Sequence, residues 1–272
     1  PNIFYVAQDK DKKYNRYWTE KKHVLPLDIV CNTSNDHAKI PLPLDPAYTT
    51  QRSNEAVLIH PHHDPAFNIT FSVGTRFMRT RPNKKEKKIS VWAFDPRISQ
   101  LKAIHIPATK CYLSKASNND ERIAQFAHLV RNWAHLKNGY IPYVWGGSSS
   151  NHLARSHVIT EKQIKKNNKT VSYYCINNYT ASPMTGLDCS SLVSRAAQIC
   201  NIPYFFKNTT TLARYLNPIE THTHIQNGDL IWIPWHVMIV SDIKKNLLVE
   251  ARGYNHGYGK VHELPLCKVF KG

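Results

Sequence analysis

The stretch Asn227-Gly-Asp-Leu-Ile-Trp-Ile-Pro-Trp-His-Val-Met-Ile-Val240 decides how this chain is built. Asn-Gly is a turn signal, and the apolar runs Asp229–Ile233 and His236–Val240 behind it read as strands. Leu247–Ala251 and Lys260–Leu264 continue the series, with turn residues at 242–246 and 253–259. Upstream, Leu192, Val193, Ala196, Ala197 and Ile199 recur at helical spacing from Ser190 until Pro203 stops them. Helices therefore come first and antiparallel strands after, an α+β arrangement. The apolar stretch Leu230–Val240 holds a Pro and a His and falls far short of the roughly 20 residues that span a membrane.

Working outward, a helix is predicted over about 120–137. Asn118 and Glu121 resemble a capping box, Ile123, Phe126, Ala127, Val130 and Ala134 form one face, and Asn138-Gly139 is a stop. This helix opens a second domain, residues 118–272. Between Ser148 and Thr185 the chain is polar and without clear periodicity, so it reads as an insertion or long loop, which in a compact domain is often functional. Residues 1–117 are rich in turn, β-branched and aromatic residues. Ala56–Ile59, Phe67–Phe71, Thr75–Met78 and Ile89–Phe94 read as short strands of a small all-β unit behind an irregular arm.

Of the 272 residues, 42% are hydrophobic and 20% charged, which excludes wholesale disorder. The net charge of +17 is spread evenly, +9 on residues 1–117 and +8 on residues 118–272. With no zinc-finger, Walker or RNA-binding signature, nucleic acid is not the expected partner; an anionic partner or surface is. The six cysteines are irregularly spaced without a Cys-x-x-Cys pair, which suggests neither a zinc site nor a dense disulfide scaffold. His60-Pro-His-His-Asp64 looks like a metal site but lacks a supporting element, so it reads as a solvated loop, and no metal or cofactor is expected. No charged, apolar leader opens the chain, so a secretion signal is expected to be absent or already removed before Pro1.

Gly186-Leu-Asp-Cys-Ser-Ser-Leu192 puts Cys189 at a loop–helix junction, where unsatisfied N–H groups and the helix dipole favour a thiolate and could hold an oxyanion. Cysteine is equally a common small core residue. His236, at the mouth of an apolar strand, could be the base, or simply cap the strand edge. Glu250 sits inside the next apolar strand, where a carboxylate is costly unless paired. A hairpin turning at 242–246 would return it beside His236 as an orienting group; otherwise it faces solvent.

The ordered motifs Pro142-Tyr-Val-Trp-Gly-Gly147, Gly186-Leu-Asp-Cys-Ser190, Asn227-Gly-Asp-Leu230, His236-Val-Met-Ile-Val240 and Leu248-Val-Glu-Ala251 resemble the NlpC-type family of cell-wall cysteine peptidases. The resemblance covers about residues 118–270. It implies a papain-like α+β fold and hydrolysis of peptidoglycan stem peptides, typically between D-glutamate and a diamino acid. It implies Cys189 as nucleophile, His236 as base, Glu250 as third catalytic residue, and Tyr143, Asp188 and Ser190 as oxyanion or substrate-binding residues. Tyr143 could alternatively be a core aromatic packed like Trp145, and Asp188 could also cap the helix. By analogy, similar enzymes carry bacterial SH3-like barrels in front of the catalytic domain, so residues 1–117 are expected to include one. The substrate implies an exported protein, in the periplasm, in the cell envelope or secreted, and a monomer is expected.

Three positions depart from the family's pattern. The third polar residue is most often histidine there, and His256 in the loop beyond Glu250 is its rival. Ser191 replaces the usual Gly and should crowd the first helical turn. The link containing 148–185 is much longer than usual and should wall or cover the groove. Two other classes compete: a catalytically inactive wall-binding protein, and a papain-like amidase or acyltransferase. Many of the latter place His before Cys, whereas here Cys189 precedes His236.

Overall fold

The computed structural model describes residues 55–81, 87–95, 97–98, 100–112, 118–151, 159–166, 169–176, 185–202, 208–221, 224–253 and 258–270. The arm expected before residue 55 lies outside them. Among the described residues the chain combines helices with antiparallel sheets, an α+β protein.

The first part is all antiparallel strands. β1 (Glu55–Leu58) lies between β4 (Arg76–Met78) and β7 (Cys111–Tyr112), β2 (His62–Asp64) pairs with β3 (Ile69–Phe71), and β5 (Lys88–Asp95) pairs with β6 (Gln100–Pro107). The alternation Ile89, Val91, Ala93 turns one face of β5 inward, onto a core with Leu58, Phe67, Phe77, Ile104 and Ile106. Two expectations fail here. His62–Asp64 is a strand, not a solvated loop: His62 and Asp64 turn inward and His63 outward. Asp64 also accepts the Phe67 N–H at 3.0 Å and so closes the turn to β3. Strand β6 was not foreseen, because charged and polar residues fill its exposed face.

The second core is larger and carries the site. Helix α1 (Asn119–Ala134) starts where Asn118 accepts the Glu121 N–H at 2.9 Å, and ends at His135, before the predicted stop. Its apolar stripe, Phe126, Leu129, Val130 and Trp133, packs with Leu192, Val193, Ala196 and Ile199 of α2 (Cys189–Ile199). Both meet a four-stranded sheet in simple hairpin order: β12 (Leu230–Ile233), β13 (His236–Asp242), β14 (Leu247–Arg252) and β15 (Lys260–Pro265). Short helices α3 (Thr209–Tyr215), absent from the sequence reading, and α4 (Leu266–Val269) complete it.

The stretch 148–185 is not a structureless loop. β8 (Ser148–Ser149) pairs with β11 (Gly186–Leu187), and between them β9 (Ile159–Lys166) and β10 (Lys169–Ile176) form a hairpin in continuous register, from Lys169 opposite Lys166 to Ile176 opposite Ile159. Interleaved lysines hid the β-branched and aromatic residues that favour strands here. The β-rich part joins the second core directly. Val57 and Val73 are members of it, Trp133 donates to the Ile59 carbonyl at 3.1 Å, and Arg76 donates to the Gln198 carbonyl at 2.6 Å.

Candidate active site

Cys189 is the first residue of α2 and is 8% exposed. Asp188 caps the helix, accepting the Ser191 N–H at 2.7 Å, while Ser191 Oγ accepts the Asp188 N–H at 2.9 Å, a complete capping box. Ser191 Oγ also lies against the Gly147 carbonyl. Ser191 therefore ties the Trp-Gly-Gly loop to the helix start and does not merely crowd it. Ser190 is buried and donates to Asp188 Oδ1 at 2.9 Å. The glycines of both motifs have a steric reason. A Cβ on Gly147 would stand 2.7 Å from the Gly186 carbonyl oxygen, and one on Gly186 would stand 2.3 Å from the Pro142 carbonyl oxygen. Only glycine lets these segments approach, and their approach brings Tyr143 toward the Cys189 end of the helix, paired to Leu187 by a parallel bridge.

Strand β13 carries His236. The register sets Ile239 opposite Val249, which makes His236 and Glu250 diagonal neighbours on one face of the sheet. His236 Nε2 lies 2.5 Å from Glu250 Oε2, with Glu250 fully buried at 0% exposure. An ionised carboxylate only accepts, so Nε2 carries a proton here, and in the neutral tautomer the lone pair lies on Nδ1. The next strand adds a residue not singled out from sequence. His262, directly opposite Glu250 in the register, is buried and places Nε2 3.1 Å from Glu250 Oε1, although off the line of a good hydrogen bond. Its Nδ1 faces the Lys260 carbonyl at 3.1 Å, and its ring stacks on Tyr258 at 3.7 Å. The segment Lys260–Leu264 shows only a histidine within a strand; that it faces the buried Glu250 follows from the cross-strand register.

Burial alone would push Glu250 up, but the hydrogen bond from His236 and the close approach of His262 outweigh it and hold the carboxyl down at about 2. Cys189 contradicts the expectation of a lowered thiol. Burial pushes it up; the Val237 N–H and the N–H groups of Ser190 and Cys189 pull it back only in part, and Asp188 adds to the rise. Burial thus favours the thiol form, with the sulfur near the amide of Val237, the residue after His236. Tyr143 is pushed up to about 12, chiefly by burial, with nearby Cys189 and Asp188 disfavouring a second negative charge, so its hydroxyl stays a donor. Tyr143→Phe is expected to lower turnover about tenfold with little change in melting temperature, measured by steady-state kinetics beside thermal denaturation.

The structure thus gathers Cys189, Tyr143, Asp188 and Ser190 at one helix start and joins Glu250 to His236. His256 lies outside the described residues. Trp145 does not pack in the core: it is 87% exposed. So is most of Trp235 (76%), which the turn into β13 holds at a φ of 72°, a left-handed conformation costly for a bulky residue. Among the described residues no group of His, Cys, Asp and Glu could hold a metal ion, and no helix is long and apolar enough to cross a membrane. Comparison with protein-family models, curated proteins and solved structures finds no match.

Proposed function

We propose that this chain is a papain-like cysteine endopeptidase of the NlpC type that hydrolyses peptidoglycan stem peptides at the bond between D-glutamate and a diamino acid. The observation that carries this reading is the buried Glu250 bound to His236 Nε2, on the strand whose next amide meets the Cys189 sulfur. Nδ1 of His236 takes the thiol proton as Cys189 Sγ attacks the scissile carbonyl carbon. The oxyanion formed receives hydrogen bonds from the amide N–H groups at the start of α2 and from the Tyr143 hydroxyl. The proton on His236 passes to the leaving amine, and water activated by the same imidazole then cleaves the thioester. Glu250 stays ionised throughout and stabilises the imidazolium. Asp188 Oδ1 is committed to the cap, so its other oxygen would meet the amino end of a stem peptide.

The residues around 55–112 act as an SH3-like, wall-binding unit, and the protein works as an exported monomer on an anionic envelope. The β9–β10 hairpin lies in the chain between β8 and β11, whose ladder ends at Leu187 beside Asp188, and we read it as a border of the substrate groove. Replacing residues 159–176 by a short link is expected to raise KM several-fold while iodoacetamide still labels Cys189 at its usual rate. Equal loss of both would make the hairpin a support of the fold. The reading itself is tested with free stem tetrapeptide. New free amino groups should appear with the wild-type protein and not with Cys189→Ser; none with either protein would refute it.

A further inference from the structure

We infer that the cleft between the β-rich part and the C-terminal end of α1 binds a phosphate-bearing oligoanion, a site sharing no residue with the one around Cys189. The cleft measures about 1050 Å³. One wall carries His60, His63 and Lys110, and the other Asn132, His135 and Lys137. Threonine and asparagine side chains supply most of the remaining polar lining, and no carboxylate of the described residues lines it. Hydroxyl and amide donors together with ammonium groups are the set that holds phosphate oxygens.

The motif left over from the sequence contributes to this wall. Strand alternation in β2 turns His62 and Asp64 into the core and His63 outward, so the five-residue run cannot close on a metal but adds His63 to the cleft beside His60. Burial and the charge of Lys110 push His60 down, making it a neutral hydrogen-bonding group there. Lys110 gives one proton to the Pro61 carbonyl at 3.1 Å, which fixes its ammonium at the wall and leaves two protons for a ligand. Opposite, His135 Nε2 rests 2.7 Å from Glu263, and that carboxylate is also met by Arg131 at 3.2 Å and by Ser241 at 2.6 Å. The acid behind the wall is thus already matched, and Lys137 is an exposed residue of the lining. The last turn of α1 carries partial negative charge, which the two lysines outweigh. The space exceeds what one phosphate fills, so several phosphate groups on one chain fit better than a bare ion. A net charge of +17 draws such a ligand in.

The test uses the full chain with two probes, inorganic phosphate and tripolyphosphate, in isothermal titration calorimetry at low and high salt. Tripolyphosphate should bind saturably, one per chain and at least about tenfold tighter than phosphate, and weaken as salt rises. Lys137→Glu should weaken it at least about fivefold and His63→Gln by a smaller factor, with unchanged circular dichroism. Lys244→Glu, on the exposed turn between β13 and β14, controls for overall charge and should change affinity less than about twofold. Alkylation of Cys189 should be the same in all of them, so failure here leaves the peptidase reading standing, and the reverse. No saturable binding, or equal weakening by Lys137→Glu and Lys244→Glu, would overturn the site.

Discussion

His236→Ala is expected to lower turnover by about three to four powers of ten while the protein stays folded. The size of the effect follows from the state of the nucleophile. Were Cys189 a stable thiolate, losing the base would leave a competent attacking group. Burial favours the thiol, so under the proposed mechanism the attack depends on a base to take its proton, and His236→Ala removes that base. The same substitution should slow alkylation of Cys189 at neutral pH without affecting exposed Cys267. Stopped-flow alkylation with peptide mapping, beside steady-state kinetics, measures both. An alkylation rate unchanged by His236→Ala would mean that the sulfur does not use this base.

Glu250 is the second large effect. Glu250→Gln keeps the size and an acceptor for Nε2–H but removes the charge that stabilises the imidazolium, and turnover should fall by about one to three powers of ten with KM little changed. Glu250→His should lose less than Glu250→Ala, and His256→Ala should be nearly silent. Stability gives an independent reading. The folded carboxyl lies at about 2, below the 4.5 of the free group, so ionised Glu250 stabilises the fold above about 4.5, and that contribution fades as pH falls toward 2. The melting-temperature gap between wild type and Glu250→Gln should therefore be full from pH 5 to 7 and close progressively below pH 4.5. A gap independent of pH would mean that the carboxylate is not held by the two histidines.

Much of this site was legible because strand periodicity and local motifs place its parts. The apolar run after His236 and the turn at 242–246 made a return of Glu250 beside it one of two readings, the other being a solvent-facing side chain, and Gly186–Leu192 placed Cys189 at a loop–helix junction. Cys189's elevated thiol was not legible, since local sequence reveals the helix N–H groups but not how deeply tertiary packing buries the sulfur. His262 was missed because its role depends on cross-strand register with Glu250, which nothing in Lys260–Leu264 alone specifies. The β2 strand and the β9–β10 hairpin were hidden by polar and charged residues on their sequences, where pairing across a register decides structure more than hydrophobic alternation does. The exposure of Trp145 was misjudged for a related reason: its neighbours Gly146 and Gly147 bend the loop so that the backbone, and not the indole, packs against Gly186.

The most direct measurement is digestion of purified peptidoglycan by the wild-type protein and by Cys189→Ala, with released fragments identified by mass spectrometry. Wild type should release fragments cut between D-glutamate and the diamino acid, leaving a new amino terminus on the diamino acid, and Cys189→Ala should release none. Fragments released equally by both proteins, or by neither while wild type is folded and binds the wall, would contradict a cysteine peptidase acting on stem peptides.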